Sequence, residues 1–146
     1  MRSETKLQAM SEGRRSDQTP TIQINISGGQ VGVLNAGTIH TIEQYLSTVN
    51  EAGQKDLVEA IKSLTEAVIV SKDLSEEQTR EALENLEFLS SQAALPAENR
   101  SKSGVVSAIV GRLRELISTA KDLSDIWTSH GSTLLAALQS IGMLLR

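Results

Sequence analysis

The chain has 146 residues and a net charge of −4, a length that fits one modest domain. It contains no cysteine, which excludes a disulfide framework and a thiolate metal site. Its aromatic residues are one Phe, one Tyr and one Trp, too few for the stacking platforms that bind single-stranded nucleic acid. No basic stripe is dense enough to predict duplex binding, so we expect no nucleic-acid partner.

Residues 1–20 predict a disordered or adaptable tail. After Met1, its only large apolar residues are Leu7 and Met10, and Gly13 and Pro20 interrupt any pattern. The tail lacks the apolar stretch of a secretory signal peptide. Together with the missing cysteines, this predicts a cytoplasmic protein.

Residues 21–40 predict a short β element. In "TIQINIS", residues 21–27, isoleucines alternate with polar residues, which is the period of a strand. Gly28-Gly29 signals a turn, a second alternating stretch follows, and a further turn signal spans 35–37. The apolar positions of this element are Ile22, Ile24, Ile26, Val31, Val33 and Ile39.

Residues 41–95 predict a helical domain. A short helix starts near Thr41 and ends before Gly53, and a second helix runs from about Gln54 to Val70. A capping-box pattern, Ser75 with a glutamine three residues later, begins a third helix that must stop near Ala94. The second and third helices predict an antiparallel hairpin. Its facing stripes are Leu57, Ile61, Leu64 and Val68 against Leu83, Leu86 and Leu89.

Residues 96–104 predict a linker, and residues 105–146 a long, bent helix that Gly111 and Gly131 weaken or bend. Residues 126–145 carry no formal charge, and a helix of that length can span a bilayer. Several polar residues interrupt the run, so an amphipathic helix that packs on the hairpin or on a neighbouring chain is the favoured interpretation. The candidate membrane or partner contacts are Leu134, Leu135, Leu138 and Ile141.

No pattern in the chain predicts catalysis. His40 and His130 are the only histidines, and neither has the spacing of a metal pair or a nucleophilic relay. The glycines at 28, 29 and 32 lack the lysine of a P-loop and precede a predicted strand rather than a helix. The glutamates of the third helix suit a solvated face. We therefore expect no enzyme, no cofactor and no metal.

The absence of charge around the β element predicts assembly between subunits. From Gln18 to Ile42 there is no Asp, Glu, Lys or Arg, and the edges of an isolated strand pair invite pairing with another chain. The alternative is a hairpin packed on the helices of its own subunit. The predicted fold is mainly α, with an N-terminal β element that assembles between subunits, a helical hairpin and a long bent C-terminal helix.

Three stretches carry a resemblance: "INISGGQVGVLNAGTI" at 24–39, "FLSSQAALPAENR" at the end of the hairpin, and "LISTAKDLSDIWTSHGSTLLAAL" near the C-terminus. Together they resemble small uncharacterised bacterial proteins and C-terminal modules found in or near predicted anti-phage and signalling systems. The resemblance implies an accessory or assembly role and no active-site residue.

The same N-terminal stretch also resembles amyloid signalling motifs, including the RIP homotypic interaction motif. Ile22-Gln23-Ile24 matches three positions of that motif, whereas Asn25 stands where the motif has glycine. A small closed β assembly therefore suits this sequence better than a fibril.

These features predict a non-enzymatic self-assembling module, a sensor or adaptor in a bacterial defence system. Its partners would be further copies of the chain or another protein of the same system. The alternative is a pore-forming effector that associates with a membrane on activation through the uncharged C-terminal helix.

Overall fold

The computed structural model describes residues 22–26 and 32–144. This part of the chain is an extended segment followed by helices that share one apolar core, which includes residues from Ile24 to Met143. The α-helices are α1 (Val33–Glu51), α2 (Lys55–Val70), α3 (Glu76–Ala94), α4 (Ser103–Thr119), the short α5 (Ser124–Ile126) and α6 (Ser132–Ser140).

The predicted mainly α fold is confirmed, but the second half of the predicted β element is wrong. Helix α1 begins at Val33 after an extended Gly32, so Val33 and Ile39 lie on a helix. Ile39 starts the same buried stripe as Ile42 and the apolar residues that follow. Gly37 lies on the exposed side of α1. The helix forms despite this glycine, because burial of the apolar stripe outweighs the weak helix propensity of one residue. No strand occurs within residues 22–26 and 32–144.

Local chemistry sets the end of α1 and the boundaries of α2 and α3 as the sequence predicts. Gly53 has φ of 86°, a left-handed conformation that turns the chain between α1 and α2. The Ser75 hydroxyl accepts from the Gln78 N–H, and the Gln78 side chain accepts from the Ser75 N–H, which completes the capping box of α3. Helix α3 ends at Ala94, ahead of Pro96.

The packing of these helices corrects the predicted hairpin. Helices α2 and α3 contact each other, and both predicted stripes are buried. However, α3 packs more extensively against α1 than against α2, and α2 packs more extensively against α6. The α2 stripe is also wide, since Val58, Thr65 and Ile69 are buried beside it. The core is therefore a multi-helix bundle rather than a two-helix hairpin.

The predicted long C-terminal helix is broken in the middle, which is a second correction. Helix α4 ends at Thr119, and Ala120 is extended, with ψ of 119°. The Asp122 carboxylate accepts from the Ser71 hydroxyl at 2.9 Å and the Lys72 N–H at 2.8 Å. In return, the Asp122 N–H donates to Asp73 at 2.9 Å. These bonds to the α2–α3 loop stabilise the break, although no proline or glycine marks it.

Burial alone would raise the pKa of Asp122. The hydrogen bonds from the Lys72 N–H and the Ser71 hydroxyl outweigh this effect and hold the pKa below its ordinary value of 3.8. The ionised carboxylate is therefore the form that the folded chain prefers.

Beyond the break, the predicted bend at Gly131 takes the form of a π-helical turn, Trp127–Gly131, between α5 and α6. A Cβ on Gly131 would lie 2.7 Å from two ring atoms of Trp127. Glycine at this position therefore lets the indole lie against the backbone. Gly111, the other glycine predicted to weaken or bend this helix, lies within continuous α4.

The predicted linker 96–104 is a mostly exposed connection between α3 and α4, and its last two residues, 103 and 104, belong to α4. It contains a 3-10 turn, Ala97–Asn99, and Arg100. The Arg100 guanidinium donates to the carbonyls of Gln92 and Ala93 near the end of α3, and to the carbonyl of Ile141 just after α6. The Arg100 side chain therefore connects the C-termini of α3 and α6 by hydrogen bonds.

Candidate functional site

The extended segment 22–26 lies on helices α1 and α2. Its side chains alternate as the sequence predicts: Ile24 is buried and Ile22 partly buried, whereas Gln23 and Asn25 are exposed. Ile26, at the end of the same face, is 47% exposed. The helices thus provide a socket for one isoleucine and leave another in solvent.

Side chains of the two helices accept hydrogen bonds from three backbone N–H groups of the segment. The Ile22 N–H donates to the Ser47 Oγ at 3.0 Å, and the Ile24 N–H donates to the Glu43 Oε2 at 2.7 Å. The Asn25 N–H donates to the Glu66 Oε2 at 2.9 Å. Bonds from backbone donors to carboxylates are stronger than bonds between neutral groups. We call this surface, formed by Ser47, Glu43 and Glu66 around the Ile24 socket, the segment groove.

Neighbouring groups orient the acceptors of the segment groove. The Ser47 hydroxyl donates to the Glu43 carbonyl at 2.9 Å, which leaves its lone pairs for the segment. The Glu43 Oε1 lies 3.6 Å from the His40 Nδ1. The Glu66 Oε2 lies 3.3 Å from the Lys62 Nζ, one turn back on α2. The groove is therefore organised to bind an extended backbone.

The predicted assembly residues that the structure describes divide between this site and helix α1. Ile22, Ile24 and Ile26 belong to the docked segment. Ile39 is buried on α1, and Val33 is the first residue of that helix. Val31 lies outside the described residues.

The predicted C-terminal contact residues face the core of their own chain. Leu134 and Leu138 have no exposed surface, and Leu135 and Ile141 are partly buried against the same core. The polar residues Ser132, Thr133 and Ser140 line an open groove of about 600 Å³ that residues 53–56 complete. Among residues 22–26 and 32–144, no helix combines the length and apolar character needed to cross a membrane.

Sequence reasoning missed the three acceptors of the segment groove. Glu43 and Ser47 are four residues apart, so they share one face of α1, and this spacing is the only local signal. Glu66 lies on a different helix, and nothing in its neighbours distinguishes it from a solvated glutamate. Only the packing of α1 beside α2 brings the three together.

The fold and this site define an α-helical bundle that carries an extended segment in a groove. Comparison with family models, curated proteins and solved structures finds no significant match to the chain. The function must therefore be inferred from the site itself.

Proposed function

We propose that this chain is a non-enzymatic module that assembles with copies of itself through residues 22–26. The observation that carries the proposal is the segment itself. It is extended and uncharged, its isoleucines alternate with exposed amide side chains, and Ile26 is 47% exposed at its end. Short uncharged β-branched segments of this kind pair readily with identical copies.

The bundle contributes a stable platform for this segment. Its helices bury their own apolar stripes against one another, so removal of the segment leaves most of the core in place. Assembly can therefore change the partners of residues 22–26 without unfolding the helices.

The resemblance to modules of bacterial anti-phage and signalling systems supports a role as a cytoplasmic sensor or adaptor. In that role, the assembled form would present many copies of the bundle to another protein of the same system. Co-purification of the assembled chain with the proteins encoded beside it tests this part of the proposal.

The test of assembly uses Ile26, because its side chain is exposed and its substitution spares the core. Light scattering on the purified chain over a range of concentrations should show a particle larger than one copy. Ile26→Lys should reduce its mass, because a charge at each copy of a paired position is costly to desolvate. The matched control is Val105→Lys, at an exposed valine of α4 that is 48% accessible.

Two results would contradict the proposal. One is a chain that stays monomeric at every concentration even when residues 22–26 are released from α1 and α2. The other is an Ile26→Lys variant that keeps the wild-type mass. Circular dichroism of each variant checks that the helices remain folded.

A further inference from the structure

The docked segment uses hydrogen-bond donors on both of its edges. In an extended chain, successive N–H groups point to opposite sides. The N–H groups of Ile22 and Ile24 point to α1, where Ser47 and Glu43 accept them. The N–H of Asn25 points the other way, to Glu66 on α2. Neither edge is therefore ready to pair at these residues.

A β-ladder between copies would need these same donors. Each backbone N–H makes one strong hydrogen bond, so a donor held by a carboxylate is not available to a strand carbonyl. The Ile24 side chain also cannot occupy both places. It is 6% exposed in its socket and would have to leave that socket to enter an intermolecular sheet. Docking and strand pairing therefore exclude each other at residues 22–25.

We propose that the segment groove is an autoinhibitory clasp, which holds residues 22–26 away from other copies until they are released. This inference rests on the proposed self-assembly and adds its control. A ligand, partner or substitution that weakens docking would shift the population toward chains with a free segment. The concentration needed for assembly would then fall by the factor by which the fraction of chains with a free segment rises.

The features of the groove suit a reversible contact. The acceptors are side chains rather than a neighbouring strand, so they can release the segment without loss of helical hydrogen bonds. The Glu43 and Glu66 side chains are 13% and 28% exposed, so water can replace the segment at both carboxylates. The Lys62 ammonium stays beside Glu66 when the segment leaves, since both lie on α2.

The experiment compares two double variants of the full chain. Glu43→Ala with Glu66→Ala removes two acceptors of the clasp. Glu51→Ala with Glu59→Ala is the control, because it removes two exposed glutamates from the same two helices and changes the net charge equally. This match matters, since a less negative chain repels its copies less.

Two measurements are made on each variant. Light scattering over a dilution series gives the concentration at which assembly begins. Hydrogen exchange of the monomer gives the protection of the Ile24 amide. The groove variant should assemble at a concentration at least about tenfold below that of the control, the scale expected when two charge-assisted hydrogen bonds are lost. Its Ile24 amide should also exchange faster.

The possible results separate the clasp from the proposed function. If wild type assembles and the groove variant assembles no more readily than the control, the clasp is wrong and self-assembly stands. An Ile24 amide that stays as protected in the groove variant as in the control would also overturn the clasp. If neither wild type nor the groove variant assembles, although the amide is exposed, both proposals fail.

A third variant ties the gain to the segment. Ile26→Lys added to the groove variant should cancel its easier assembly, because the released segment then carries a charge. If the gain persists in this background, the copies associate through another surface and the clasp is overturned.

Discussion

Arg100 should contribute more to the stability of the fold than any other residue of the connection 96–104. Its Nε donates to the carbonyls of Gln92 and Leu95 at 2.9 and 3.1 Å. Its Nη2 donates to the carbonyl of Ala93 at 3.2 Å, and its Nη1 to that of Ile141 at 3.0 Å. These carbonyls belong to the ends of α3 and α6, where backbone acceptors lack helical partners. We predict that Arg100→Ala lowers the free energy of unfolding.

The expected magnitude follows from these contacts. A hydrogen bond to a charged group contributes about 1.5–3 kcal/mol when well buried, and we discount this to about 0.5–1 kcal/mol per donor because Arg100 is only partly buried. Three donor nitrogens and a favourable charge at two helix C-termini then give a loss of about 2–3 kcal/mol. Arg100→Lys keeps the charge but cannot bridge both helix ends, so we expect a loss of about 1–2 kcal/mol.

Urea denaturation followed by circular dichroism measures this loss. The control is Arg114→Ala, at an exposed arginine of α4, which should stay within about 0.5 kcal/mol of wild type. If Arg100→Ala falls within the range of this control, the guanidinium does not hold the two helix ends in solution. If Arg100→Lys equals wild type, the charge acts without the bridging geometry.

Three further predictions test the core, the π-helical turn and the break after α4. Leu86→Ala should lower the free energy of unfolding by about 2–5 kcal/mol, because Leu86 has no exposed surface. A loss of stability as small as that of the exposed-site control Glu84→Ala would contradict the buried position of Leu86. Gly131→Ala should cost about 1–3 kcal/mol and shift the fluorescence of Trp127, the single tryptophan, because the new Cβ would lie 2.7 Å from its ring; unchanged emission and stability would refute this contact. The depressed pKa of Asp122 stabilises the fold above the unfolded-state value of 3.8, and the contribution is lost as pH falls through the folded-state pKa. Asp122→Asn should therefore be less stable at neutral pH and lose less stability on acidification, and equal pH profiles in denaturant melts would count against it.

Features that depend on near neighbours could be predicted from the amino-acid sequence. The capping box at Ser75, the stop before Pro96 and the end of α1 before Gly53 all occur as predicted. Each uses groups only a few residues apart, so the signal is complete within a short window. The buried stripes of α2 and α3 were also predictable, because helical spacing alone places those residues on one face.

The start of α1 shows where local signals fail. Alternation at Val31 and Val33 and the turn residues Asn35 and Gly37 favoured a strand and a turn. The helix extends back to Val33, because the buried stripe that begins at Ile39 binds it to the bundle. Burial against distant residues outweighs a local preference of about 1 kcal/mol per glycine.

The break at Ala120, the role of Arg100 and the acceptors of the segment groove depend on contacts between residues that are distant in the chain. Asp122 meets the α2–α3 loop, Arg100 meets Ile141, and Glu66 meets Asn25, each across a long stretch of chain. A polar side chain in a helix or connection has the same local pattern whether it faces solvent or a remote backbone group. Which of the two it does depends on how the helices pack, because hydrogen bonds act over about 3 Å and sequence neighbours do not reveal what lies at that distance.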